Sequence, residues 1–150
     1  MARPRPPFEG SCLRGAVRVG ATVAPLLTFA CHCRDCRKLS ASASALTAVF
    51  PGDSSSCIGD LTEGGLFSSG RRHVFCRSCL NFICSPIAGA DQRINLRTSI
   101  LNDAAPFGPF VALRTGEKLP WAHGPAGHSF SQYPAGPDDL QALMNRCADQ

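Results

Sequence analysis

Short apolar runs separated by turn-forming residues recur along this chain, a pattern typical of β-strands. Residues 12–19 end in alternating apolar and polar side chains, which is the period of a half-buried strand. Further apolar runs predict strands at residues 26–30, 46–50, 93–97 and 110–114. The compositions of residues 51–56 and 63–65 predict turns.

One helix is predicted at the C-terminus, over about residues 137–147. Pro137 suits the first helical position, and Asp138 and Asp139 complement the positive N-terminal end of a helix. One face would carry Leu140, Leu143, Met144 and Cys147, so we interpret Cys147 as a packed thiol. The chain is therefore predicted to be mainly β, a single domain over residues 1–150 with a core at about 9–135.

Composition narrows the class of protein without identifying it. Of the 150 residues, 44% are hydrophobic and 17% charged, as in a globular protein. The net charge of +4 is not gathered into a basic block and aromatic residues are few, so a nucleic-acid partner is not expected. The basic, proline-rich N-terminus lacks the apolar segment of a secretory signal, and no apolar run is long enough for a membrane span. We therefore expect a cytoplasmic protein.

The most informative chemistry is a cluster of three cysteines, Cys31, Cys33 and Cys36. A disulfide framework is a poor explanation, because the chain has nine cysteines, an odd number. Zinc prefers such thiolate ligands, and three protein ligands leave one tetrahedral position open, as in catalytic zinc sites. Arg37 and Lys38 follow directly and are predicted to meet an anionic substrate.

His32 lies between two of these cysteines and is expected to point away from the metal, with a role as fourth ligand as the alternative. A second pair, Cys76 and Cys79, has the spacing of a zinc knuckle and needs further ligands. If Cys12 were one of them, the metal would join the start of the chain to its middle.

Three motifs in this order resemble the glutathione-dependent formaldehyde-activating enzyme family, which includes centromere protein V: Gly10-Ser-Cys12-x-x-Gly15-Ala-Val-Arg18, Cys31-His-Cys33-Arg-Asp-Cys36-Arg-Lys38-x-Ser40 and Arg72-x-x-Phe75-Cys76-x-x-Cys79. The resemblance extends over about residues 9–135, including a tail that ends near Tyr133-Pro134. It implies a zinc-stapled β-tent fold with a catalytic zinc on Cys31, Cys33 and Cys36. It also implies a structural zinc on Cys12, Cys76 and Cys79.

The resemblance further implies a carbon–sulfur lyase that condenses glutathione with formaldehyde to give S-hydroxymethylglutathione. Glutathione, or a related thiol, and an aldehyde are the expected small-molecule partners. A zinc-stapled module that carries glutathione or binds a macromolecule without turnover is the alternative.

Two positions depart from the family pattern. Arg14 stands where the family has the second cysteine of its first motif, and arginine offers no lone pair to zinc. Leu80 stands where the family usually has glycine after the knuckle. The second zinc is therefore expected to be weakly held, or completed by Cys84, Cys57 or water. The alternative for the two spare cysteines is a buried apolar role.

Overall fold

The computed structural model describes residues 4–65, 71–87 and 92–150, and in these it is mainly β. The strands are β1 (Phe8–Ser11), β2 (Arg18–Ala21), β3 (Leu27–Cys31), β4 (Ala45–Pro51), β5 (Ser55–Ile58), β6 (Leu61–Gly64), β7 (His73–Cys76), β8 (Phe82–Ile87), β9 (Arg93–Arg97), β10 (Val111–Leu113) and β11 (His128–Ser129). The helices are α1 (Arg34–Ser40) and α2 (Pro137–Ala148). The predicted fold class and C-terminal helix are thus confirmed. Within this part of the chain, neither helix has the length and apolar character that crossing a membrane requires.

The strands form two sheets of unequal size. The larger has the order β11-β10-β3-β4-β9-β8-β7-β6, and the smaller has the order β1-β2-β5. Neighbouring strands are antiparallel, except that β10 runs parallel to both β3 and β11. Strand β4 lies near the centre of the larger sheet, between β3 and β9. Strand β3 ends at Cys31, where the first cysteine cluster begins, and β9 ends at Arg97.

Alternate residues of β4 contribute to two separate apolar cores. Ala48 and Phe50 belong to the core that also holds residues of the smaller sheet, such as Val19. Val49 belongs to the second core, which α2 covers through Leu143 and Met144. Both faces of β4 are therefore buried, which explains why its sequence is a nearly continuous apolar run.

The prediction of a strand over residues 12–19 is wrong. Residues 12–17 form the turn of a hairpin, because β1 and β2 pair antiparallel with Ser11 opposite Arg18. Within the turn, the Cys12 amide donates to the Val17 carbonyl at 3.0 Å. Gly15 has a φ of +73°, a conformation that most residues avoid, so the chain can reverse here. The apolar and polar alternation at residues 16–19 reflects only the beginning of β2.

Other boundaries also differ from those predicted. The turn predicted at residues 51–56 is a single 3-10 turn at Gly52–Ser54, after which β5 begins. The turn predicted at 63–65 lies largely inside β6. Six strands, β1, β5, β6, β7, β8 and β11, and helix α1 were not predicted. Strand β7 and helix α1 lie in segments that were assigned to the cysteine motifs.

Candidate metal centres and the adjoining cleft

The first cysteine triad is assembled by a change of backbone direction after β3. Cys31 ends β3, and Cys33 caps the N-terminus of α1 with extended backbone at φ −63° and ψ 153°. The Cys33 sulfur accepts a hydrogen bond from the Cys36 amide at 3.3 Å. The first turn of α1 thereby brings Cys36 beside the other two, and the three sulfurs lie within 4.8 Å of one another.

The charges of this triad favour a bound cation. A hydrogen bond with Cys36 lowers the pKa of the Cys31 thiol to about 6. The same contact, together with burial, raises the pKa of Cys36 well above its ordinary value. Three sulfurs this close cannot all ionise unless a cation offsets their repulsion. The donor set is the one that zinc prefers, so these residues fit a zinc ion.

The second triad joins the two sheets. Cys12 comes from the β1–β2 turn, Cys76 ends β7, and Cys79 lies in the turn before β8. Their sulfurs also lie within 4.8 Å of one another. A hydrogen bond with the Ser78 hydroxyl lowers the pKa of Cys76 to about 6. Burial raises the pKa of Cys12, but hydrogen bonds from the Val17 and Arg14 amides outweigh it and the net shift is downward.

Cys57 and Cys84 form a separate pair and do not complete the second triad. Their thiols hydrogen-bond to each other, which lowers the pKa of Cys57 and raises that of Cys84. Cys84 is 3% exposed and belongs to the core between the sheets, in agreement with the apolar alternative. Among the residues that the structure describes, no fourth cysteine, histidine or carboxylate joins Cys12, Cys76 and Cys79.

Comparison with known proteins identifies the family. The model of the family described as glutathione-dependent formaldehyde-activating enzyme matches residues 7–117. The chain belongs to this family. A crystal structure of a Rhodobacter sphaeroides protein from a structural genomics programme aligns with a TM-score of 0.51 and 20% sequence identity. The alignment covers 65% of this chain and 91% of that one, and it supports the fold alone. None of the curated proteins matches the chain.

A cleft of about 360 Å³, large enough for a small molecule, has Tyr133 in its wall. Its walls are mostly apolar, with residues from β3, β4, β10 and α2. Polar groups enter it from Arg71, Arg93, Asn95 and Tyr133. A larger cavity of about 550 Å³ runs along the smaller sheet, and among the described residues neither cavity is lined by a cysteine, but the smaller one has Tyr133, a hydrogen-bond partner of Cys31, in its wall. We therefore regard the smaller cleft as the candidate site.

Tyr133 links this cleft to the first triad. The Tyr133 hydroxyl donates a hydrogen bond to the Cys31 sulfur. The central carbon of the Arg114 guanidinium lies over the Tyr133 ring, 5.4 Å from the ring centre. Burial and the neighbouring thiols raise the pKa of Tyr133 to about 12, so it remains a proton donor at neutral pH. Arg114 Nε donates a hydrogen bond of 2.7 Å to the Glu117 carboxylate, which holds the guanidinium in place. Sequence analysis assigned no functional role to Tyr133, although Tyr133 lies in the part of the tail that resembles the family.

Arg37 and Lys38 lie on α1, directly after Cys36. Arg37 is half-buried and its Nε is a buried atom without a hydrogen-bond partner, whereas Lys38 is exposed. Their contact with a substrate stays a prediction. His32 is buried, and its ring nitrogens do not join the sulfur group of the first triad. Burial lowers its pKa, so His32 is neutral at pH 7.

Proposed function

We propose that this chain is a zinc-dependent carbon–sulfur lyase-type enzyme that condenses glutathione, or a related thiol, with formaldehyde. The observation that carries the proposal is the first triad, three thiols with a fourth tetrahedral position to fill, which Tyr133 connects to a cleft large enough for a small molecule. Cys31, Cys33 and Cys36 would hold the catalytic zinc. Cys12, Cys76 and Cys79 would hold a structural zinc.

The proposed reaction joins the sulfur of the thiol to the carbon of formaldehyde and delivers one proton to the carbonyl oxygen. Zinc held by these three cysteines would keep a bound thiol ionised at neutral pH. The Tyr133 hydroxyl, at the edge of the same triad, is a proton donor for that oxygen. Arg37 and Lys38 would bind the carboxylates of glutathione. The apolar walls of the cleft would limit the access of water to the product.

We also propose that residues 1–150 form one zinc-containing domain of this family, with its core at about 9–135. A reducing compartment such as the cytoplasm would suit it, because all nine cysteines are free thiols in the structure. Nucleic acid is not a proposed partner.

Calorimetry and turnover of the zinc-loaded protein test the proposed function. Glutathione should bind at millimolar concentration or below, and binding should weaken as salt is added, because exposed charge pairs are screened over about 8–10 Å. Nuclear magnetic resonance should show S-hydroxymethylglutathione forming faster with the protein than without it. Cys36→Ser should abolish the effect and remove one zinc per chain, whereas Cys147→Ser, outside both triads, should preserve both.

The outcomes separate enzyme from carrier. Binding that depends on zinc but leaves the reaction rate unchanged would support a glutathione-carrying module, which was the alternative from the sequence. No binding at all would reject glutathione as the ligand of this cleft. A Cys36→Ser variant that kept its full zinc content would show that the first triad is not a metal site.

A further inference from the structure

Arg97 places a positive charge in a partly buried position on the larger sheet. It ends β9, and its guanidinium carbon lies 4.7 Å from the centre of the Phe82 ring. One terminal nitrogen donates to the Asn95 carbonyl at 3.3 Å. Its Nε is buried and has no hydrogen-bond partner within the described ranges. Burial lowers the pKa of Arg97 to about 10, so the side chain is still charged at neutral pH. A charge in this position requires a compensating charge nearby.

The register of the larger sheet directs Arg97 toward the first triad. Cys31 lies opposite Ala45 on one side of β4, and Arg97 lies opposite Thr47 on the other. Directly paired residues of antiparallel strands project to the same face, and so do residues two apart along one strand. Cys31 and Arg97 therefore project to one face, on either side of β4. Helix α1, which carries Cys36, packs against the same strand.

Among the described residues, the acidic groups that act electrostatically on Arg97 are thiols. The ion pairs found among residues 4–65, 71–87 and 92–150 are Arg72–Glu63, Arg77–Asp60 and Arg114–Glu117. The groups whose ionisation would stabilise the charge of Arg97 are the thiols of Cys36, Cys84 and Cys31, in decreasing order, whereas the nearby cation of Arg71 opposes that charge. Two of these three belong to the first triad. Arg97 is thus arranged to respond to the charge of that triad.

We propose that Arg97 is a positioning residue that balances the negative charge of the first metal centre and so favours a thiolate in its open position. The inference rests on the proposed function, in which this triad holds zinc and receives a thiol. A dication with three thiolates carries a net charge of −1, and a fourth thiolate makes it −2. A fixed cation stabilises the more negative state more strongly than the less negative one. Arg97 thereby lowers the cost of ionising the incoming thiol, while Arg37 and Lys38 remain available for its carboxylates.

The test compares Arg97→Gln with Arg97→Lys and with Arg18→Gln. Arg97→Gln removes the charge and keeps a hydrogen-bond donor for Asn95, and Arg97→Lys keeps the charge. Arg18→Gln removes an exposed charge from the smaller sheet, so it controls for the net charge of the protein. If Arg97→Gln fails to fold, Arg97→Met replaces it, because its unbranched side chain fills much of the same space. All variants are measured as the zinc-loaded full chain.

Two ligands distinguish an effect on the thiolate from an effect on the carboxylates. Glutathione can ionise at sulfur, whereas S-methylglutathione has the same carboxylates and cannot. We expect Arg97→Gln to weaken glutathione binding by roughly tenfold or more, the effect of one charge several ångströms away at an effective dielectric constant of about 20. S-methylglutathione binding should be unchanged, Arg97→Lys should retain most of the affinity, and Arg18→Gln should alter neither. Unchanged glutathione affinity, or equal weakening of both ligands, overturns the proposal.

A second readout separates this proposal from the proposed function. Competition with a chelator measures the zinc affinity of the first triad without any thiol. Arg97→Gln should lower that affinity, because the −1 complex loses its counter-charge, and Arg18→Gln should not. If wild-type protein binds zinc but no glutathione, the proposed function fails and the zinc affinities alone decide the role of Arg97. Equal zinc affinities in wild type and Arg97→Gln would then refute it.

Discussion

Arg14 offers a direct test of the second metal centre, because one substitution restores the family's fourth cysteine. The amide of residue 14 donates to the Cys12 sulfur, so its side chain starts only a few bonds from the proposed metal position. Arg14 itself is exposed, and its removal leaves no cavity in the core. We expect Arg14→Cys to bind the second zinc more tightly and to raise the unfolding temperature in the presence of zinc.

The size of the effect follows from the linkage between binding and folding. Loss of even a residue that only supports a metal ligand typically costs 10–100-fold in metal affinity, so a direct ligand should contribute at least this much. With zinc in excess, each tenfold gain in affinity adds about 1.4 kcal/mol to the free energy of unfolding. The expected gain is then at least about 1.4–2.8 kcal/mol. For a chain of this size, that corresponds to roughly 3–11 °C in the unfolding temperature.

Arg14→Ala is the matched control, since it removes the positive charge without adding a ligand. Zinc content by mass spectrometry under native conditions and thermal unfolding by circular dichroism are measured for all three proteins, with zinc and with a chelator. The gain of Arg14→Cys should exceed that of Arg14→Ala and should vanish with the chelator. Equal gains would mean that charge alone controls the site. No gain from Arg14→Cys would show that Cys12 and the knuckle do not share an ion.

Three further substitutions test local features of the fold. Leu80 is 68% exposed with a φ of 58°, so Leu80→Gly should relieve backbone strain and add about 0.5–1 kcal/mol to the free energy of unfolding, whereas Leu13→Gly should not. Burial lowers the pKa of His73, so the stability that neutral His73 contributes is present above the unfolded pKa of about 6.5 and is lost as pH falls below it. His73→Gln should therefore reduce the loss of stability between pH 7.5 and pH 5.5, measured as urea midpoints of chelator-treated protein. Leu143 is fully buried, so Leu143→Ala should cost about 2–5 kcal/mol in urea denaturation and loosen the cleft, while Gln141→Ala on the exposed face should cost little.

Sequence reasoning succeeded where the chemistry is local. The spacing of Cys31, Cys33 and Cys36 was sufficient to predict that the sulfurs meet, because one strand end and one helical turn determine their positions. Short strand-like runs likewise predicted β3, β4, β9 and β10, which lie next to one another in the larger sheet. Helix α2 was predictable because its capping residues and its apolar face agree with each other.

Features that depend on distant parts of the chain were not predictable in the same way. Nothing near Cys57 or Cys84 in sequence indicates that they hydrogen-bond to each other, since they meet only when the two sheets pack. Arg97 looked like the ordinary polar end of a strand, and nothing near it in sequence indicates its contact with the Phe82 ring. The turn at residues 12–17 was missed because alternation at its end resembles a strand. Its glycine, in the left-handed conformation, was the overlooked signal.

The two triads differ in how far apart their cysteines lie along the chain, and this difference gives metal uptake an order during synthesis. The first triad is complete as soon as residue 36 has left the ribosome, and closing so short a loop costs little entropy. The second triad must wait for residues 76 and 79 to meet residue 12, which requires both sheets to be at least partly built. Zinc in the first centre could thus bind to a nascent chain, whereas zinc in the second would bind only to a nearly folded one and would hold its sheets together.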